Sequence, residues 1–199
     1  MIIIGLCGGS GSGKGTVCSF FAELGLSVID TDKVYHEMTS SYSPCLLELV
    51  DRFGEGIVNN GHLDRNALRK LVFDCDDAEV NRRDLNSITH RHILVKTKEL
   101  IENAKANSAI GVIIDAPLLF ESGFNTICDI CVAVIADESI RIKRIMKRDG
   151  IREVDAISRI RSQIPDSELA NMCDYTICNN EDVDMLKSDV NALFAKIFD

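Results

Sequence analysis

The glycines and serines of Gly8-Gly9-Ser10-Gly11-Ser12-Gly13, closed by Lys14-Gly15-Thr16, follow directly on the apolar segment Met1-Ile2-Ile3-Ile4-Gly5-Leu6-Cys7. A buried strand running into a loop of small residues and a lysine, and then into an amphipathic helix, leaves few folds open. Glycines reach dihedrals that a Cβ forbids, so successive backbone N–H groups can curl around a polyphosphate. Lys14 adds a point charge for the β- and γ-phosphates, and a helix starting near Thr16 turns its positive end toward them. The pattern implies a bound nucleoside triphosphate. Gly9, Ser10, Gly11, Ser12, Gly13, Lys14, Gly15 and Thr16 are the residues expected to hold it.

The residue after the lysine is usually Ser or Thr, which offers a hydroxyl to Mg²⁺. Here it is Gly15, with Thr16 one step later. The order Lys-Gly-Thr resembles adenylate-kinase-like small-molecule kinases more than GTPase switches. The expectation is that Mg²⁺ is held through water by Thr16 and by carboxylates, Asp115 among them.

The chain's periodicity alternates. Ile2–Cys7 reads as a strand, Thr16–Leu24 as a helix stopped by Gly25, and Ser27–Asp30 as a short second strand. From Lys33 to about Ala106 the pattern is almost wholly helical, broken at Ser43-Pro44, Gly54–Gly61 and Asp76-Asp77. Asp64 is placed to cap a helix over Arg65–Phe73. Ala109–Asp115 and Ile130–Ile135 read as buried strands, and Asp137 as the cap of a helix through Lys147. Asp149-Gly150 breaks that helix, Arg152–Gln163 forms the next, and Tyr175–Cys178 is a last strand. Val183, Leu186, Val190, Leu193 and Ile197 recur at helical spacing and mark a core-facing stripe. Strands alternating with helices indicate an α/β fold with helices on both faces of a parallel sheet. The block of residues 33–106 reads as a helical domain inserted into it.

With 199 residues, 46% hydrophobic and 27% charged, the chain can bury a full core. A net charge of −9 argues against nucleic acid or an anionic membrane as the main partner. No apolar run approaches the roughly 20 residues of a membrane span. The first strand is needed for the phosphate loop, so it does not read as a cleaved signal, and a cytoplasmic protein is expected.

Ligands of such sheets bind at the C-terminal strand ends. The second strand delivers Asp30 and Asp32 there, and the third delivers Asp115. In phosphoryl transfer a nearby carboxylate suffices to orient a hydroxyl and take its proton late in a loose transition state. Each acid also has a plainer reading. Asp30 could cap the helix that follows, Asp32 could serve only its macrodipole, and Asp115 could be a solvated strand end. Arg141, Lys143, Arg144, Lys147, Arg148, Arg152, Arg159 and Arg161 crowd one stretch of an acidic protein. On a helical flap they could close over the triphosphate, with Arg144 and Arg148 on one face as the best placed pair. A solvated basic face and a nucleic-acid surface are the alternatives. Among the eight cysteines, Cys128/Cys131 and Cys173/Cys178 leave a zinc or redox role open. Their apolar surroundings favour inert, buried thiols.

Taken together, these segments resemble the dephospho-coenzyme A kinase family over nearly the whole length. The likeness rests on Gly8–Thr16, Val28-Ile29-Asp30-Thr31-Asp32 and Gly61-His62-Leu63-Asp64-Arg65. It continues through Leu85-Asn86 with His90, Asp115-Ala116-Pro117-Leu118-Leu119-Phe120-Glu121 and Lys143-Arg144 with Lys147-Arg148-Asp149. Gln163-Ile164-Pro165 and Asp174-Tyr175 before Asn179-Asn180 complete it. The resemblance implies a P-loop kinase core, a three-layer α/β/α sandwich with a five-stranded parallel sheet in the order 2-3-1-4-5, in residues 1–32, 107–138 and 174–199. It implies a coenzyme-A-binding insertion at about 33–106 and a helical lid at about 139–173. It further implies ATP-dependent phosphorylation of the ribose 3′-hydroxyl of dephospho-coenzyme A, with Mg²⁺ and a small-molecule acceptor. Asp32 would be the base, Lys14, Arg144 and Arg148 would act on the transferred group, and Arg65, His90, Pro117 and Leu118 would contact the acceptor. The chain departs from the family pattern at Gly15, Arg91 and Leu169, where Ser, Pro and Lys are common.

Overall fold

The computed structural model describes residues 1–40 and 43–198. The chain forms two compact units, Met1–Ile29 with Ala104–Asp199, and Asp30–Asn103.

The first unit is built on β1 (Ile2–Cys7), β2 (Ser27–Asp30), β5 (Gly111–Asp115), β6 (Ile130–Ile135) and β7 (Tyr175–Cys178). These lie in the order β2-β5-β1-β6-β7, which in core-strand count is 2-3-1-4-5. β1 pairs parallel with β5 (Ile4 opposite Ile113) and with β6 (Leu6 opposite Val132), and β6 pairs parallel with β7. Central strands of such a sheet are covered on both faces, so they read as unbroken apolar runs, and Ile4, Leu6, Val112, Ile113 and Ile114 are all fully buried. α1 (Lys14–Glu23) and α9 (Val183–Phe198) pack on the sheet through Val17, Phe20, Phe21, Leu186, Val190 and Leu193. Of the stripe expected on α9, Val183 is exposed, while Ile197 packs against the core. Three further helices, α6 (Glu138–Asp149), α7 (Glu153–Arg161) and α8 (Asp166–Met172), complete the unit.

Two helix boundaries differ from the sequence reading. α1 begins at Lys14, not Thr16, because Gly13 takes a left-handed turn (φ 92°) and its carbonyl accepts from Thr16 N and Val17 N at 2.9 and 3.2 Å. The helix read as Arg152–Gln163 stops at Arg161, and α8 follows Pro165 where no element was expected. Asp137 does precede α6, but its carboxylate makes no cap bond and instead accepts from Asn180 Nδ2 at 2.9 Å.

The second unit comprises α2 (Thr31–Thr39), α3 (Pro44–Phe53), a hairpin of β3 (Val58–Asn59) and β4 (His62–Leu63), α4 (Arg65–Phe73) and most of α5 (Ala78–Ala106). The starts of α2, α3 and α4 are capped by side chains. Asp30 accepts from Lys33 N at 3.0 Å, Ser43 from Leu46 N at 3.1 Å, and Asp64 from Asn66 N and Ala67 N at 2.9 and 3.0 Å. Asn60-Gly61, both with positive φ, turns the hairpin inside a stretch that reads only as a helix break. Cys45, Leu49, Ile57, Leu68, Val72 and Ile88 form the unit's own core.

Candidate functional site

The loop between β1 and α1 is held from outside by side chains far away in sequence. Ser10 O accepts from Arg141 Nε at 2.9 Å, Gly11 O from Arg144 Nη1 at 3.3 Å, and Ser12 O from Asn179 Nδ2 at 2.7 Å. Gln163 Oε1 accepts from Ser10 N and from Arg141 Nη2, both at 2.9 Å. Arg141 is 3% exposed and also pairs with Asp166 at 2.6 Å, so a buried charge is fully partnered. Asn179 is buried too, its backbone N–H fixed to Ile135 O at 2.8 Å.

Lys14, at the first turn of α1, is ion-paired with Asp115, which ends β5 opposite Leu6 of β1. Both side chains are largely sheltered, at 15% and 14% exposure, so one cation and one carboxylate meet beside the loop. Gly15 and Thr16 face solvent on α1, and a Cβ at Gly15 would meet nothing within 4 Å. Pro117 and the exposed Leu118 line a small cleft with Gly8, Gly9, Gln163 and Ile164. A triphosphate fits a glycine cradle with a helix N-terminus and a lysine behind it. Mg²⁺ also fits. Among the described residues no group of three or more His, Cys, Asp or Glu could enclose a cation, and Mg²⁺ is typically held by one or two carboxylates plus phosphate oxygens and water.

The other expected site residues sit as follows. Asp32 is exposed in the first turn of α2, after its cap Asp30. Arg65 lies at the start of α4 with its guanidinium 6.0 Å from the Tyr35 ring centre, and burial raises the Tyr35 hydroxyl above its usual value. His90 is partly buried on α5. These three belong to the second unit. Arg144 and Arg148, the expected clamp pair on α6, bond within the protein. Arg144 turns onto the loop backbone and Asn179, donating to Asn179 O at 3.1 Å and Oδ1 at 3.2 Å. Arg148 points to solvent and grips Asp149 with two bonds, at 2.7 and 2.9 Å. Arg148, and then Arg159, hold the Asp149 carboxyl down at about 2. Gln163 and Asn179 were legible as parts of a resemblance, but no local signal gave them a role.

The departures at positions 91 and 169 have local explanations. Arg91 pairs with Glu48, which His92 Nε2 also meets at 2.8 Å, and the bond to His92, then that to Arg91, lowers the Glu48 pKa. Leu169 is 6% exposed, a core position where a lysine would need a partner. Among the described residues Cys128, Cys131, Cys173 and Cys178 do not come together as a group that could hold a metal ion. Cys173 Sγ sits 3.5 Å from Cys7 Sγ, and Cys178 is exposed. The expectation of uniformly buried thiols also fails, because Cys75 is exposed as well. Contact with Cys173 and burial push the Cys7 thiol up. A hydrogen bond from Cys128 lowers the Cys131 thiol.

Sheet order, loop and helix define a P-loop protein of the small-molecule kinase type. The dephospho-CoA kinase family model matches residues 2–184, and the chain belongs to that family. Similar curated proteins are the dephospho-CoA kinases of Syntrophotalea carbinolica and Corynebacterium glutamicum. The first is 37% identical, covering 99% of this chain and 92% of its own. The second is 36% identical, covering 99% and 100%. A Thermus thermophilus crystal structure superposes with a TM-score of 0.80 at 29% identity, covering 98% and 97% of the two chains. The dephospho-CoA kinase of Campylobacter jejuni superposes at 0.72 and 22% identity, covering 98% and 96%, which bears on the fold alone.

Proposed function

We propose that this protein transfers the γ-phosphoryl group of ATP to the ribose 3′-hydroxyl of dephospho-coenzyme A, giving coenzyme A and ADP. The observation that carries the proposal is the glycine loop after β1, with Lys14 of α1 paired to Asp115 at the end of the neighbouring β5, in a chain of this family. On this reading the acceptor oxygen bonds to the γ-phosphorus while the bond to the bridging β–γ oxygen breaks. The hydroxyl proton passes to Asp32. Lys14 and the loop N–H groups take the charge gathering on the phosphate oxygens. Thr16 and Asp115 are the residues proposed to hold Mg²⁺ through water, and when bound the ion neutralises phosphate charge. Arg148 can leave Asp149 for a phosphate oxygen, since exposed ion pairs exchange partners at little cost. Arg65 and His90 of a helical acceptor-binding region at about 33–106, with Pro117 and Leu118, are proposed to contact the acceptor. Residues 139–173 would act as a lid, and the reaction would take place in the cytoplasm.

A coupled assay following ADP with dephospho-coenzyme A, AMP or no acceptor tests the reading. Turnover only with dephospho-coenzyme A is expected. Turnover of AMP would point to a nucleotide kinase, and hydrolysis without an acceptor to a nucleotide switch. Asp32→Asn should keep ATP affinity while turnover falls about 10²- to 10⁴-fold. Unchanged turnover would remove Asp32 as the base. Lys14→Ala should lower both triphosphate affinity and turnover.

A further inference from the structure

Three consecutive loop carbonyls, those of Ser10, Gly11 and Ser12, each accept a bond from a side chain outside the loop, namely Arg141, Arg144 and Asn179. Among the described residues every peptide is trans. In a planar trans peptide the carbonyl of one residue and the N–H of the next point in opposite directions. Fixing these three oxygens therefore turns the N–H groups of Gly11, Ser12 and Gly13 away from the three donors. Ser12 N closes back on Gly9 O at 3.1 Å. Gly11 and Gly13 are left to face an anion.

We infer that Arg141, Arg144 and Asn179 are positioning residues, which aim the loop's N–H groups at the phosphates by holding its carbonyls. This rests on the proposed use of the loop for a triphosphate and gives Arg144 a different role in it. Two of the three donors are cationic, and their charge sits on the carbonyl side, where it offsets the negative ends of the peptide dipoles. The arrangement is anchored well away from the loop. Arg141 is fixed by Asp166 on α8 and by Gln163 before it. Asn179 is fixed at the end of β6 through Ile135 O. The loop's shape is thus tied to the segment joining α7 and α8. The fit is close, since a Cβ at Gly13 would fall 1.9 Å from Asn179 Nδ2.

The variants are Arg141→Lys, Asn179→Ser and Asn179→Asp. Lysine keeps the charge but cannot span Ser10 O, Gln163 and Asp166 at once. Serine keeps a donor but falls short of Ser12 O, and aspartate keeps the acceptor for Arg144 while setting an oxygen against Ser12 O. Each variant that melts within a few degrees of wild type should bind ATP about tenfold or more weakly by calorimetry. KM for ATP should rise alike, with KM for dephospho-coenzyme A within about twofold. A role confined to stability would move the melting temperature and leave the two KM values unsplit. Folded Arg141→Lys and Asn179→Ser proteins with wild-type ATP affinity would overturn the inference. If wild type binds ATP but turns over no dephospho-coenzyme A, the functional proposal fails while weaker ATP binding by the variants still supports the positioning role. A wild type without ATP affinity would overturn both.

Discussion

Gly11 and Gly15 belong to one motif, yet alanine at the two positions should act in opposite directions. Gly11 has φ +80°, and a Cβ there would lie 2.7 Å from Arg141 O and 2.9 Å from Arg141 Cα. The left-handed backbone costs a non-glycine residue about 1–2 kcal/mol. The clash is with α6 backbone, which has no rotamer to change, and overpacking of that kind costs about 1–3 kcal/mol. The sum, roughly 2–5 kcal/mol, has two outlets. If the loop keeps its place, the fold takes the strain, and a chain of this size should melt about 4–20 °C lower. If the loop moves away from α6, it loses the bond from Arg144, and ATP should bind about 30- to several-thousand-fold more weakly.

At Gly15 the opposite holds. Nothing lies within 4 Å of the Cβ, and the residue sits in the first turn of α1. Alanine there should raise stability by up to about 1 kcal/mol through the unfolded chain's lost freedom, a gain of about 1–4 °C. Calorimetric melting and ATP titration of both variants decide the matter. A Gly11→Ala protein with wild-type melting and wild-type ATP affinity would refute the argument that the loop is packed against α6. So would a Gly15→Ala protein damaged as badly.

Other expectations are more local. The Asp149 carboxyl, ordinarily near 3.8 and held at about 2 by Arg148 and Arg159, should show a carbon-NMR titration midpoint about 2, and Arg148→Ala should move it up. A carboxyl with a depressed folded-state pKa stabilises most above its unfolded value. This contribution should be complete above about pH 4 and vanish as pH falls through 2. In thiol labelling read by mass spectrometry, the exposed Cys75 and Cys178 should react first, while the buried Cys7, Cys18 and Cys45 wait for unfolding. A diamide-type oxidant should join Cys7 to Cys173, whose sulfurs are 3.5 Å apart, and Cys173→Ser should abolish that link; early labelling of Cys7 would contradict its burial.

The sequence carried what spacing can carry. Gly8–Thr16 follows a strand and opens a helix. Asp64 caps Arg65–Phe73 as read. The α9 stripe buries Leu186, Val190 and Leu193. What stayed hidden depends on partners remote along the chain. The bonds to Ser10, Gly11 and Ser12 span 131, 133 and 167 residues, and no period or propensity says which arginine meets which carbonyl. α8 leaves no signal in the sequence because seven mostly polar residues after a proline carry too few turns to show a period. The start of α1 reads two residues late in the sequence, since Gly15 is a poor helix former, whereas the turn at Gly13 sets the boundary.

The charges of the α6–α8 segment divide by depth, and the division bears on how an acidic protein receives a polyanion. Arg141 and Arg144 are sheltered and committed to loop carbonyls, Gln163, Asp166 and Asn179. Releasing either would strand a buried group, which costs several kcal/mol when a buried charge is involved. Arg148, Arg152 and Arg159 rest on Asp149 and Asp155 at the surface. Lys143, Lys147 and Arg161 are exposed with no carboxylate partner among the described residues. Exposed pairs exchange partners at little cost, so this outer set can turn toward arriving phosphates while the inner set keeps the loop's shape. Net charge of −9 then opposes binding only at long range, where salt screens it beyond about 8 Å. Within that distance the nucleotide would meet oriented N–H groups, Lys14 and mobile cations. On this view the basic stretch serves two purposes that its sequence does not separate, and burial decides which residue serves which.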